Sequence, residues 1–144
     1  MYNVAIIGAG PAGIFSALEI VKLRPDWKVV LIEKGERIED RKCLLREGYA
    51  KCPSCKKCGL LCGWGGAGAF SDGKLTLTPD VGGNLVDYMS RKDVEELIDY
   101  ADNLYLKFGA TKEVFGTDPK IFHEIERKAA LAELKLVHSP VRHL

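Results

Sequence analysis

The sequence predicts a mixed α/β fold that begins with a strand, a helix and a second strand. Three observations predict it. Residues 4–7 form a short β-branched run that stops at glycine, a helical apolar pattern runs from Pro11 to a break at Pro25, and residues 28–33 form a second apolar run. Two strands joined through one helix by short turns are nearly always parallel. We therefore expect a parallel βαβ unit over residues 1–34.

The turn between the first strand and the helix, residues 8–13, has the pattern GxGxxG. A strand before it and a helix after it make this pattern typical of dinucleotide binding. Gly8 permits the tight turn, Gly10 lets the main chain approach a pyrophosphate, and Gly13 lets the helix and strand pack closely. The helix N-terminus offers N–H groups and a positive dipole end, and Pro11 costs little at the first helical position. The turn therefore predicts a diphosphate site.

Glu33 lies twenty positions beyond Gly13, at the end of the second strand. A carboxylate there can accept hydrogen bonds from ribose hydroxyls, and it repels a 2′-phosphate. The alternative is a glycine-rich turn with a solvated glutamate. Together these features predict a Rossmann-like FAD/NAD(P)-binding unit, and they do not decide between the two cofactors.

Composition excludes several classes of function. The chain has 21 basic and 20 acidic residues, so it has no broad positive field for nucleic acid. The N-terminus lacks a signal-type segment, and no run is long and apolar enough for a membrane helix. Four of the five cysteines lie within residues 52–62, which does not suit a disulfide framework. We expect a soluble cytoplasmic protein.

The rest of the chain changes character twice. Residues 35–83 are rich in glycine and cysteine and have little periodicity, apart from a strand-like alternation over 74–78, and we expect a functional loop region. Residues 84–144 contain two predicted helices. The first begins at Ser90 with a capping box and ends at Gly109, and the second begins at Asp118. Residues 134–137 are predicted to begin a strand.

The glycine motifs support a family resemblance. Residues 8–13 and 33–35, followed by residues 65–75, resemble the start of the bacterial NAD(P)/FAD-dependent oxidoreductases, described as FAD-dependent dehydrogenases of unassigned substrate. The likeness covers nearly the whole chain. It implies hydride or electron transfer through FAD, with NAD(P)H as a candidate electron donor. Family members are much longer, so we expect this chain to be the N-terminal part of a larger flavoprotein.

The resemblance also extends the candidate cofactor site. It implies that the first glycine motif holds the ADP half of FAD and that a second glycine block lies near the flavin. The residues predicted to contact the cofactor are Gly8, Gly10, Pro11, Ala12, Gly13, Glu33, Lys34, Arg41, Gly65, Gly66, Gly68 and Ser71. Arg41 is included because a guanidinium group pairs well with phosphate oxygens. The sequence assigns no catalytic residue and no substrate.

The four clustered cysteines allow three interpretations. Cys52, Cys55, Cys58 and Cys62 have the spacing of a ferredoxin cluster loop, which favours an iron–sulfur cluster; zinc is less natural at this spacing. A redox disulfide between Cys58 and Cys62, of the kind some flavoenzymes place after the ribose-binding acid, is the second interpretation, and inert thiols are the third. If the glycine motif is only a structural turn, the alternative function is a non-enzymatic Cys-rich metal-binding interaction module.

Overall fold

The computed structural model describes residues 1–144, which divide into two compact units, Met1–Asp72 and Gly73–Leu144. The first unit begins with strand β1 (Val4–Ile7), helix α1 (Pro11–Leu23) and strand β2 (Val29–Ile32). The two strands pair in parallel, and α1 contacts both of them. The predicted strand, helix and strand are therefore confirmed, as is their parallel pairing.

Hydrogen bonding between the two parallel strands continues one residue past β1, into the glycine turn. Val4 pairs with Val29, and the N–H of Gly8, just beyond β1, donates to the carbonyl of Ile32 at 2.7 Å. Parallel strands are usually buried on both faces, yet Ile7 is 78% exposed and Ile32 is 50% exposed. This small sheet positions the turn while leaving apolar surface uncovered.

The remainder of the first unit is irregular and contains two short 3₁₀ helices, Ile38–Asp40 and Gly66–Phe70. The boundary between the compact units falls between Asp72 and Gly73. The three segments expected from sequence, 1–34, 35–83 and 84–144, stay a prediction about how function is divided along the chain.

The second unit combines two helices with a three-stranded antiparallel sheet of order β3-β5-β4. Its elements are β3 (Lys74–Thr76), a 3₁₀ helix (Leu85–Asp87), α2 (Arg91–Lys107), β4 (Val114–Phe115), α3 (Pro119–Leu131) and β5 (Val141–His143). The strand expected within 74–78 is confirmed. The strand expected at 134–137 is wrong, because those residues have no ladder partner and the strand begins at Val141.

Both ends of α2 follow from local side-chain chemistry. Ser90 accepts a hydrogen bond from the N–H of Asp93 at 3.2 Å and donates its hydroxyl to that carboxylate at 2.6 Å. Gly109 follows the helix with a φ of 102°, and the N–H of Ala110 donates to the carbonyl of Tyr105. This is a Schellman motif, so the predicted start and stop are both confirmed.

Helix α3 has a similar cap at each end. Asp118 accepts hydrogen bonds from the N–H groups of Lys120 at 2.8 Å and Ile121 at 3.3 Å, which confirms the predicted start. At the other end Glu133 takes the left-handed conformation, with a φ of 57°, and the N–H of Leu134 donates to the carbonyl of Ala129. A residue with a Cβ thus occupies a position that favours glycine.

One buried ion pair ties the sheet of the second unit to α2. Arg142 is 6% exposed and donates through Nη2 to a carboxylate oxygen of Asp102 at 2.8 Å and through Nη1 to the carbonyl of Thr111 at 2.8 Å. The hydrogen bond to Asp102 raises the pKa of Arg142 above its ordinary value. Nε and Nη2 of Arg142 both donate to the Asp102 carboxylate, and this planar two-bond contact holds β5 against α2.

The chain exposes more surface than its mass predicts. Its accessible surface is 10870 Å², whereas a compact 15.9 kDa monomer would expose about 7,400 Å², and two separate domains of half that mass about 8,900 Å². Ala9 and Val94 are the buried hydrophobic residues, and no large side chain is fully buried. No helix combines the length and apolar character required to span a membrane.

Candidate nucleotide-binding site

The turn between β1 and α1 depends on two glycines that no other residue replaces without strain. Gly8 has a φ of 100°, a left-handed conformation that side chains rarely adopt. A Cβ on Gly13 would lie 1.9 Å from the carbonyl oxygen of Gly8, so α1 packs directly on the turn. These are the tight turn and the close packing expected of the two positions.

Gly10 caps α1 and lies against the loop at Gly66. Gly10 has no side chain to cap the helix, so the first-turn N–H groups receive no acceptor from it. A Cβ built on Gly10 meets only the Cα of Gly66, at 4.0 Å. Pro11 and Ala12, the first helical residues, are exposed. The geometry leaves the helix N-terminus accessible to an anion.

Glu33 lies beside this turn. Its Oε2 accepts a hydrogen bond from the N–H of Ala9 at 2.7 Å, while its Oε1 accepts from the N–H groups of Gly35 at 2.9 Å and Gly63 at 3.0 Å. The carboxylate therefore joins three chain segments: the glycine turn, the end of β2 and the Cys/Gly-rich loop. Sequence patterns place the carboxylate near the turn but do not predict these partners.

The hydrogen bonds of Glu33 also set its charge. The N–H of Ala9, followed by that of Gly35, holds the pKa of Glu33 below its ordinary value of 4.5, against a smaller opposing effect of burial. A carboxylate offers about four acceptor positions, and the main chain fills three of them. Main-chain N–H groups therefore take up most of the acceptor capacity of Glu33.

The second glycine block lies against the first turn. The N–H of Gly65 donates to the carbonyl of Ala9 at 2.9 Å, and a Cβ on Gly66 would come within 3.2 Å of the Cα of Gly10. A Cβ on Gly65 would lie 2.8 Å from that of Ala69. Gly65 and Gly66 are thus needed for contacts within the chain, and their approach to a flavin stays a prediction.

Three other predicted contacts lie in different surroundings. Gly68 has open space around it, because a Cβ added there would meet no heavy atom within 4 Å, so a ligand can approach it. Ser71 donates its hydroxyl to the carbonyl of Gly68 at 2.7 Å and closes the 3₁₀ helix. Lys34 is exposed beyond β2. All three residues are exposed.

Arg41 lies inside the Cys/Gly-rich loop. It is 5% exposed and uses its guanidinium group on main-chain carbonyls of the loop, among them those of Trp64 and Gly66 at 2.7 Å. Its guanidinium makes four such hydrogen bonds. The structure thus places Arg41 within the loop, and its contact with a pyrophosphate stays a prediction.

The four clustered cysteines do not converge. Cys52 and Cys55 are exposed, Cys58 and Cys62 are half-buried one helical turn apart, and all are free thiols. No three His, Cys, Asp or Glu side chains form a group able to hold a metal ion. As folded, this donor set does not fit a cluster or a zinc ion, and the metal site stays a prediction.

Sequence reasoning missed the glycines that let the loop pack on the rest of the unit. A Cβ on Gly35 would lie 2.3 Å from the N atom of Gly63, and one on Gly59 would lie 2.0 Å from the carbonyl oxygen of Lys42. The high glycine content of this region was the one sequence feature that indicated such packing. It indicates close approach of main chain but cannot identify what approaches.

Comparison with known proteins finds a distant relative. A protein of Clostridium beijerinckii (strain ATCC 51743 / NCIMB 8052), described as an uncharacterized protein, is 33% identical over 113 residues, which cover 78% of this chain and 20% of that protein. The chain thus spans about a fifth of the length of the curated relative it matches. No family model matches the chain, and no solved structure matches it.

Proposed function

We propose that the first unit binds FAD through the β1–α1 turn and belongs to a flavin-dependent oxidoreductase. The observation that carries the proposal is the uncapped start of α1, where Pro11 and Ala12 are exposed, with the Glu33 carboxylate hydrogen-bonded to the same turn. An accessible helix N-terminus favours a diphosphate, and a neighbouring carboxylate favours an unphosphorylated ribose.

Each part of the site then has a defined task. N–H groups of the first turn of α1 hold the diphosphate, and Glu33 accepts a hydrogen bond from a ribose hydroxyl. Gly68 offers a second unobstructed surface. Bound FAD supplies two-electron transfer, with NAD(P)H as the proposed donor. A reducing cytoplasm is the proposed compartment, because it keeps clustered thiols reduced.

A Gly10→Ala substitution tests the proposal. The nearest heavy atom lies 4.0 Å from the new Cβ, so the fold accepts the substitution. We expect the added methyl group to keep a diphosphate from approaching the main chain at the start of α1. We expect FAD affinity, measured by calorimetric titration, to fall about tenfold to a hundredfold. Ser16→Ala, at an exposed position of α1, is the matched control and leaves the affinity unchanged.

A second measurement links binding to stability. Trp27 and Trp64 are the two tryptophans of the chain and both lie in the first unit, so their fluorescence reports its unfolding. FAD at a hundred times its Kd stabilises the unit by about 2.7 kcal/mol. Wild-type protein that gains no stability from FAD contradicts the proposal. Zinc or iron at stoichiometric amounts without flavin affinity supports the alternative metal-binding module.

A further inference from the structure

Arg41 makes four hydrogen bonds, all to main-chain carbonyl oxygens. Its Nε donates to Gly59 at 2.9 Å and its Nη2 donates to Leu60 at 2.9 Å. Its Nη1 donates to both Trp64 and Gly66 at 2.7 Å. One guanidinium group, 5% exposed, therefore joins two segments of the Cys/Gly-rich loop, residues 59–60 and 64–66.

Packing fixes the same side chain from other directions. A Cβ on Gly63 would lie 2.6 Å from the Cδ of Arg41, so the stem of the arginine passes directly over Gly63. The guanidinium carbon lies 4.6 Å from the ring centroid of Phe70, a cation–π contact. Hydrogen bonds and packing together hold the Arg41 side chain in one conformation.

The segment that Arg41 holds is also the segment that contacts the β1–α1 turn. The carbonyl of Gly66 accepts from Arg41, and the Cα of Gly66 faces the Cα of Gly10. The neighbouring N–H of Gly65 donates to the carbonyl of Ala9 at 2.9 Å. Because peptide groups are planar and rigid, the position of the Gly66 carbonyl fixes the main chain that lies against Gly10.

We infer that Arg41 is a positioning residue for the nucleotide site: it sets residues 63–66 against the β1–α1 turn and controls FAD affinity without contacting the ligand. The planar fork of an arginine reaches four carbonyls in two segments, whereas a lysine places three N–H groups on one nitrogen and cannot span both. The inference rests on the proposed function for its ligand.

The first test needs no nucleotide. Arg41→Lys and Arg41→Ala are made in the full 144-residue chain, and amide hydrogen exchange is measured by NMR. We expect faster exchange at Gly63 and Gly65, whose N–H groups bond to Glu33 and Ala9. The N–H of Gly8, bonded to Ile32 within the βαβ unit, is the internal reference and keeps its protection.

The second test measures FAD affinity in the same variants. We expect Arg41→Lys and Arg41→Ala to bind FAD about tenfold more weakly, within the range seen for residues that act without touching the ligand. Millimolar guanidinium ion restores the affinity of Arg41→Ala, and ammonium ion does not. Arg46→Lys is the matched control, because Arg46 is exposed and has one long hydrogen bond, 3.4 Å, to the carbonyl of Phe70.

The outcomes separate the inference from the proposed function. Lost protection at Gly63 and Gly65 together with weakened, guanidinium-rescued FAD binding supports the positioning role. Unchanged protection overturns it, and if affinity still falls, Arg41 contacts the ligand directly. A lysine variant that retains both protection and affinity also overturns it. Wild-type protein that binds no FAD overturns the proposed function, while the exchange data still decide whether Arg41 positions the loop.

Discussion

Gly13 and Gly68 differ in what a side chain would contact, and this decides their tolerance to substitution. A Cβ on Gly13 lies 1.9 Å from the carbonyl oxygen of Gly8, and one on Gly68 lies in open space. The first contact is with main chain that belongs to a strand-linked turn, so neither partner can withdraw without moving α1. The second position has no such constraint.

We therefore expect Gly13→Ala to destabilise the first unit by about 1–3 kcal/mol despite the higher helix propensity of alanine. Gly68→Ala, the matched control, is expected to leave stability unchanged or raise it by up to about 1 kcal/mol. Urea unfolding followed by tryptophan fluorescence measures both. Equal stability losses in the two variants would contradict the packing described for Gly13.

The depressed pKa of Glu33 makes the first unit sensitive to acid. Its folded pKa lies below the ordinary 4.5, so its contribution to stability is fully present above pH 4.5 and is lost as the pH falls through the folded pKa. We expect the urea midpoint to decline from about pH 5 downward, and Glu33→Gln to flatten that decline.

Glu36→Gln is the control for the acid effect. Glu36 also has a lowered pKa, caused by its hydrogen bond to Lys57, but this pair is exposed and joins only two side chains. We expect a smaller change in the pH dependence than for Glu33→Gln. If the urea midpoint of Glu33→Gln falls with pH as steeply as that of wild type, the acid sensitivity does not come from this carboxylate.

At the scale of elements, α2 and α3 end in the same motif with different residues at its left-handed position. Gly109 takes a φ of 102° after α2, and Glu133 takes a φ of 57° after α3. A side chain there costs about 1–2 kcal/mol relative to right-handed backbone, whereas glycine adopts the conformation freely. The two helices thus offer a matched pair for testing one cap.

Opposite substitutions are expected to have opposite effects. Gly109→Ala should lower the stability of the second unit by about 1 kcal/mol, and Glu133→Gly should raise it by about 0.5–1 kcal/mol after allowing for the entropy of glycine in the unfolded chain. Thermal unfolding followed by far-ultraviolet circular dichroism measures both. A shift in the same direction for both variants would contradict the cap geometry.

Elements set by local chemistry were predictable from the sequence, and those set by distant partners were not. Asp118 and Ser90 mark the starts of their helices through hydrogen bonds within three residues. Strand β5 pairs with β3 across the whole second unit, and only that pairing makes residues 141–143 a strand. Residues 134–137 also alternate as a strand would, but they have no ladder partner.

In the candidate site, too, features set by neighbours in sequence were predictable and features set by distant partners were not. The roles of Gly8 and Gly13 follow from the spacing between a strand and a helix that are neighbours in sequence. Arg41 bonds to carbonyls 18–25 positions away, so its sequence context near an acid did not predict these partners. A glycine that faces ligand and one that faces main chain look identical in a sequence.

At the scale of the whole molecule, the accessible surface limits stability. The chain exposes 10870 Å², about half as much again as a compact monomer of its mass, and two hydrophobic residues are buried. The hydrophobic free energy of folding depends on the apolar area removed from water. Low stability of the isolated chain is the physical consequence.

We expect a urea m-value below that of a compact 144-residue domain, because m follows the area exposed on unfolding. The native chain should also bind the dye ANS, which reports exposed apolar surface. Both are measured on wild-type protein at neutral pH, with a compact globular protein of similar length as reference. An m-value equal to the reference, with no dye binding, would contradict this view of the surface.

The saturation of the Glu33 carboxylate has a consequence for which nucleotide analogues bind. Three main-chain amides already donate to it, so under the proposed function we expect it to accept from at most one hydroxyl of the adenosine ribose, and the second hydroxyl to make no bond with this carboxylate. A deoxyribose analogue lacking that second group should therefore compete almost as well as its parent. Selectivity among nucleotides would then come mostly from contacts with the phosphates.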